Sequence, residues 1–226
     1  NASAREGGSA AFAAAFGGYA EALRLLLNAG ADVAQVDKQG RTILMAAAQS
    51  GNRATIDALI AKRVDLNAAD THGSTALAFA AAVGYLDIAE ALIAAGARDG
   101  RDTLMHAAVL RGDIPLVRRL LASRALLEAK NYDEETPLIV AVFYAQPAMA
   151  EFLLTQGANI NAADAGGRTP LMGAAASGAS ALVKTLLAKG AKVDAVDQLG
   201  RTAWNHAVRN GFADVAKLLE AAGAIK

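Results

Sequence analysis

The chain contains no cysteine in 226 residues. That removes disulfide cross-links, thiol catalysis and thiolate zinc sites from consideration. Aromatic residues are scarce, 5% of a chain that is 54% hydrophobic. Alanine supplies much of the difference, so the interior must be built from thin side chains and closely approaching helices. A surplus of either charge is also missing: Lys+Arg and Asp+Glu number 22 each. Without a basic excess there is little to displace counterions from nucleic acid, and no polybasic patch for an anionic membrane. No apolar run approaches the ~18 residues needed to cross a bilayer. Asn1 is not a methionine, which leaves a removed export signal and a trimmed terminus both open, and with them a cytoplasmic or an exported, periplasmic location.

What the chain does have is a period. Thr42, Thr75, Thr103, Thr136, Thr169 and Thr202 each open a short run of small and apolar residues, with Ser9 in the matching place at the front. The step from one to the next is constant, except that Thr75 to Thr103 is shorter by five. A fixed period of this size marks a repeat architecture, to be read from one unit and its stacking.

Residues 37–69 serve as the unit. Asp37 to Gly40 is a turn, since Asp bonds its own backbone and Gly accepts a positive φ. Thr42 is a natural N-cap. The pattern predicts a first helix over Ile43–Gln49, a break at Gly51, and a second helix over Arg53–Lys62 with Ile56, Leu59 and Ile60 on one face. Such a pair cannot bury that face alone and must stack on a like neighbour. The turn recurs at Asp70–Gly73, Asp164–Gly167 and Asp197–Gly200. The breaking glycine recurs at Gly18, Gly84, Gly112, Gly178 and Gly211. A closing Gly-Ala stands at Gly30, Gly96, Gly157, Gly190 and Gly223, a helix-terminating signal.

This pattern resembles the ankyrin repeat. The family's Thr-Pro-Leu-His-x-Ala signature is approached at Thr103-Leu104-Met105-His106-Ala107-Ala108, Thr136-Pro137-Leu138-Ile139-Val140-Ala141 and Thr169-Pro170-Leu171-Met172-Gly173-Ala174. The resemblance covers essentially the whole chain. It implies an all-α solenoid of stacked helix-turn-helix units with short β-hairpin fingers, whose concave face is made by the fingers and first helices. On this reading residues 1–226 are a single domain with repeats at about 4–36, 37–69, 70–97, 98–130, 131–163, 164–196 and 197–226, the first and last acting as caps. The alanine richness suggests a bacterial source.

The departures from the pattern carry the functional reading. The shortened step predicts a truncated finger at 98–102. Glu134 stands where the other turns have glycine, which predicts a different backbone for that finger. Arg63 and Arg124 replace helix-ending glycines, so each takes a strained left-handed conformation or alters its loop. Bulky residues gather where the family's contact positions are variable: Val83, Leu110 and Arg111, then Phe143 and Tyr144, with Tyr132 on a finger. Asp99, Asp102, Asp133, Glu134 and Glu135 make the central fingers acidic, while Arg41, Arg168, Arg201 and Arg209 lie toward the ends. Trp204 is expected to cover the last interface.

His72, His106 and His206 fall in different units and form no HxxxH or HxH pair, so neither a metal site nor a Ser–His–Asp triad is expected. The expectation is a monomeric, non-catalytic module without cofactor or metal that binds another protein on its concave face, centred on repeats three to five. The contacts are Val83, Asp99, Asp102, Leu110, Arg111, Tyr132, Asp133, Phe143 and Tyr144. The alternative is an inhibitor or immunity protein that blocks a partner enzyme's active site.

Overall fold

The computed structural model describes residues 9–121 and 124–224. Among them are fourteen α-helices, which follow one another in short consecutive pairs. The pairs are α1 (Ala10–Phe16) and α2 (Ala20–Asn28), α3 (Ile43–Ser50) and α4 (Arg53–Ala61), α5 (Ala76–Val83) and α6 (Leu86–Ala95), α7 (Arg101–Leu110) and α8 (Ile114–Leu120). They continue with α9 (Pro137–Phe143) and α10 (Pro147–Thr155), α11 (Pro170–Ala176) and α12 (Ser180–Ala188), α13 (Ala203–Arg209) and α14 (Ala213–Ala221), with a 3₁₀ helix at Arg124–Glu128. The start of the first repeat near Ala4 lies outside the described residues. The chain divides into two compact units, 1–107 and 108–226, the division falling within α7.

The periodic hydroxyl is the helix starter. Ser9, Thr42, Thr75, Thr136, Thr169 and Thr202 each accept the N–H three residues on, at 3.2–3.4 Å, which satisfies one of the orphan donors of a helix N-terminus. Pro137, Pro147 and Pro170 occupy the first helical position, where the missing N–H costs nothing. In the first unit α3 lies between α1 and α5, and α4 between α2 and α6; in the second, α11 lies between α9 and α13. Leu44, Ile56, Leu59, Leu77 and Leu92 fill the first interior and Leu138, Leu153, Leu171, Leu186 and Leu219 the second, all essentially inaccessible. Each contributes about 1.5–3 kcal/mol by leaving water.

The fingers are tight hairpin turns, one of them closed by a β-bridge between Val36 and Thr42. Two expectations about individual fingers need correction. At 98–100 the finger is absent rather than shortened. Helix α7 begins at Arg101, so Thr103 sits inside the helix and the usual hairpin has no residues left to form it. The remaining loop folds back onto the preceding repeat, with Thr75 Oγ1 donating to the Asp99 carbonyl (2.9 Å) and Asn67 Oδ1 accepting the N–H of Arg98 (2.8 Å). Glu134 does not alter its finger. It takes φ +58°, beside +73° at Gly40 and +77° at Gly167, because Asn131 makes the same side-chain bonds that aspartate makes elsewhere. Of the two arginines at helix-ending positions, Arg63 adopts the left-handed conformation, φ +55°, and Arg124 opens the 3₁₀ helix.

Candidate functional site

Each finger is built by one acceptor residue. Asp37 Oδ1 accepts the N–H groups of Gln39 and Arg41, both at 2.9 Å. Asp70 does the same for His72 and Ser74, Asp164 for Gly166 and Arg168, and Asp197 for Leu199 and Arg201. Asn131 Oδ1 accepts from Asp133 and Glu135 at 3.0 and 2.9 Å. The short side chain thus holds two donors that would otherwise face water or each other. Neighbouring tips are then tied by backbone bonds: Thr71 N–H to the Gln39 carbonyl in the first unit, Ala165 N–H to Asp133 and Gln198 N–H to Gly166 in the second.

The carboxylates of three turns also hold an arginine. Arg41, Arg168 and Arg201 place Nε 2.7–2.8 Å from Asp37, Asp164 and Asp197. Asp197 additionally takes His206 Nε2 at 3.0 Å. Burial alone would raise the Asp197 pKa; the Arg201 N–H and guanidinium, His206 and the Leu199 N–H outweigh it and lower the value to about 2. Asp37 is lowered in the same way, its burial outweighed by the N–H and guanidinium of Arg41 and the Gln39 N–H. These arginines are clamps within their own turns.

The acidic surface is likewise smaller than its sequence. Glu135 is buried and accepts from Asn131 Nδ2 at 2.8 Å. Glu134 meets Lys130 Nζ at 3.0 Å. Asp99, Asp102 and Asp133 remain exposed.

In the first unit, exposed Val83 ends α5, Asp99 lies in the short loop and Asp102 in the first turn of α7. The Asp102 carbonyl accepts from His106 Nδ1 at 2.7 Å, so the signature-position histidine braces its own helix. In the second unit, Leu110 and Arg111 are exposed at the end of α7, and the Leu110 carbonyl accepts from Gln146 Nε2 (2.9 Å). Tyr132 is 100% exposed at a finger tip and Tyr144 is 59% exposed at the end of α9. Phe143 differs from its neighbour. Its ring lies beneath the Arg168 guanidinium, 4.8 Å from the centroid, and so close to Gly173 that a Cβ there would fall 2.8 Å from the ring. Phe143 is half-buried between repeats, whereas Tyr144 stands in water.

Leu199, 72% exposed at the tip of the last finger, escaped the sequence reading. An apolar side chain at a turn tip, where Gln39, His72, Asp133 and Gly166 stand in the others, was the available signal. Trp204 is half-buried and donates to Glu220 Oε1 at 3.0 Å, joining α13 to α14. An apolar cleft of about 350 Å³ in the first unit is lined by Val33, Val36, Ile43 and Val64. Among the described residues no three His, Asp or Glu side chains converge as metal ligands, and no helix is long and apolar enough to cross a membrane.

The model of the family described as ankyrin repeats matches residues 10–100, 97–164 and 160–225. The sequence finds no match among curated proteins. Among solved structures, the chain is similar to the human ASB11 ankyrin repeat domain, with 26% identity and a TM-score of 0.78 over 97% of this chain and 100% of that one.

Proposed function

The chain belongs to the ankyrin-repeat family, and from that premise we propose that it is a monomeric, non-catalytic module that holds a partner protein on the concave face made by its fingers and first helices. Ankyrin repeats are in general protein-interaction modules. The finer reading rests on one observation: Tyr132 and Tyr144 of the second unit keep most of their surface in water. Exposed tyrosine offers large, rigid contact area at a small entropic cost, and aromatic residues with arginine are the usual energetic centre of an interface. We place the principal contacts at Leu110, Arg111, Tyr132, Asp133 and Tyr144, with Phe143 positioning Tyr144. Val83, Asp99 and Asp102 are further contacts on the first unit. The whole chain is read as one ankyrin-repeat domain of seven repeats. Because the surface is preformed on helices and clamped turns, little ordering entropy opposes binding.

The test is a comparison of the wild type with a Tyr132→Ala/Tyr144→Ala variant, using the partner captured from native lysate by the wild type. Calorimetry is expected to show a loss of about 2 kcal/mol or more, with the circular dichroism and melting temperature unchanged. Equal affinity would remove the tyrosines from the interface.

A further inference from the structure

Within each unit a repeat covers the one before it, and the residue that begins the second helix shows how. Tyr85 lays its ring on Gly51 of the preceding repeat, and Phe212 on Gly178; a Cβ at either glycine would fall 2.5 Å from the ring. Asn52 reaches back to the Gly18 carbonyl at 2.8 Å, and Gln146 lies against Gly112. The separation along the chain is identical in all four pairs. Tyr19 holds the same position in the first repeat. The residue is 67% exposed, and its ring folds toward Gly17 of its own repeat.

The surface around Tyr19 repeats the contrast position by position. Ala22 is exposed, whereas Thr55, Ile88, Leu116, Met149, Leu182 and Val215 in the same register are at most 7% accessible. Ala10 and Ala13 are exposed, whereas Ile43 and Ala46, their counterparts one repeat on, are buried. Leu25 is 71% exposed and Leu26 half-buried; the counterparts of Leu26, Leu59 and Leu92 among them, are at most 7% accessible. None of these six positions carries a polar group other than the tyrosine hydroxyl. The last repeat ends differently. Glu220 stands in register with Leu187 and Leu154, and Asn205 with Met172 and Ile139. Terminal repeats of a solenoid need a polar outer face to stay soluble. The last repeat provides one; among the described residues of the first, the outward positions of α1 and α2 do not.

We infer that the outer face of α1 and α2 is a repeat interface in its own right and takes one more helix pair of the same kind, continuing the array on the N-terminal side with a left-handed glycine beneath Tyr19. The occupant follows from the register: a ring presented to a glycine of the preceding repeat, flanked by small residues that admit a close helix, is how the other repeats of this chain meet.

The experiment adds the chain's own second repeat, residues 37–69, directly ahead of Ala4, which sets the added glycine as far before Tyr19 as Gly51 stands before Tyr85. Amide exchange in α1 and α2 is expected to slow by about tenfold or more relative to the original chain. Leu25→Glu, or Gly51→Val in the added repeat alone, should abolish that gain while leaving α11 and α13 protected as before. Unchanged exchange in α1 and α2 overturns the inference. So does a concentration-dependent dimer of the original chain that Leu25→Glu dissolves, since the face then serves a second copy.

Discussion

Glu134, Ala145 and Arg63 are L-residues held at φ between +53° and +58°, in a conformation that costs a non-glycine residue about 1–2 kcal/mol. Ala145 is the cleanest of the three to test, because it stands at the repeat position where Gly112 and Gly178 are found. Ala145→Gly relieves that strain and returns part of the gain as unfolded-chain entropy. A net stabilisation of about 0.5–1 kcal/mol is expected from urea unfolding. Asp197 offers a pH test. An unperturbed aspartate titrates near about 4, and in the folded chain Asp197 titrates at about 2. A depressed carboxylate contributes stability that is complete above its unfolded value and is lost as the pH falls through the folded one. Asp197→Asn should therefore lower the melting temperature at neutral pH and flatten its decline between pH 4 and 2. An acid limb identical to that of the wild type would exclude Asp197 as a source of acid lability. The Glu134 outcome shows where the sequence stopped being legible: a rule about glycine predicted a changed turn, but the turn is set by the Asn131 side chain three residues earlier.

At the scale of elements, the first-helix starts other than that of α7, the breaks and the second helices were readable, because a threonine cap and a glycine act locally. Helix α3 ends within a residue of its expected limit. What could not be read is what each helix end touches. Phe143 and Tyr144 look alike in sequence, yet one ring is under Arg168 and the other in water. The deciding residue, Gly173, lies in the next repeat. Phe143→Ala removes the ring from between repeats and leaves Arg168 without its aromatic partner, a destabilisation of about 1–2 kcal/mol. Tyr144→Ala should fall within about 0.5 kcal/mol of the wild type. Equal effects on stability would mean that the two rings are equivalent.

For the whole molecule, the period announced a repeat array, but the pairing of one repeat with the next depends on two positions that the period does not connect. The ring-on-glycine contacts fix which repeats can be neighbours. Excising residues 37–69 would bring Tyr85 to Gly18, an acceptor without a side chain. Excising 164–196 would bring Phe212 to Ala145, whose methyl occupies the space the ring requires. The second deletion is expected to melt well below the first by calorimetry, and Ala145→Gly should restore most of the difference. The repeats therefore share a shape without being interchangeable. Their sequence along the chain is enforced by a matched donor of bulk and donor of space at each such junction, so that gain, loss or shuffling of a repeat succeeds only where both halves of the match travel together.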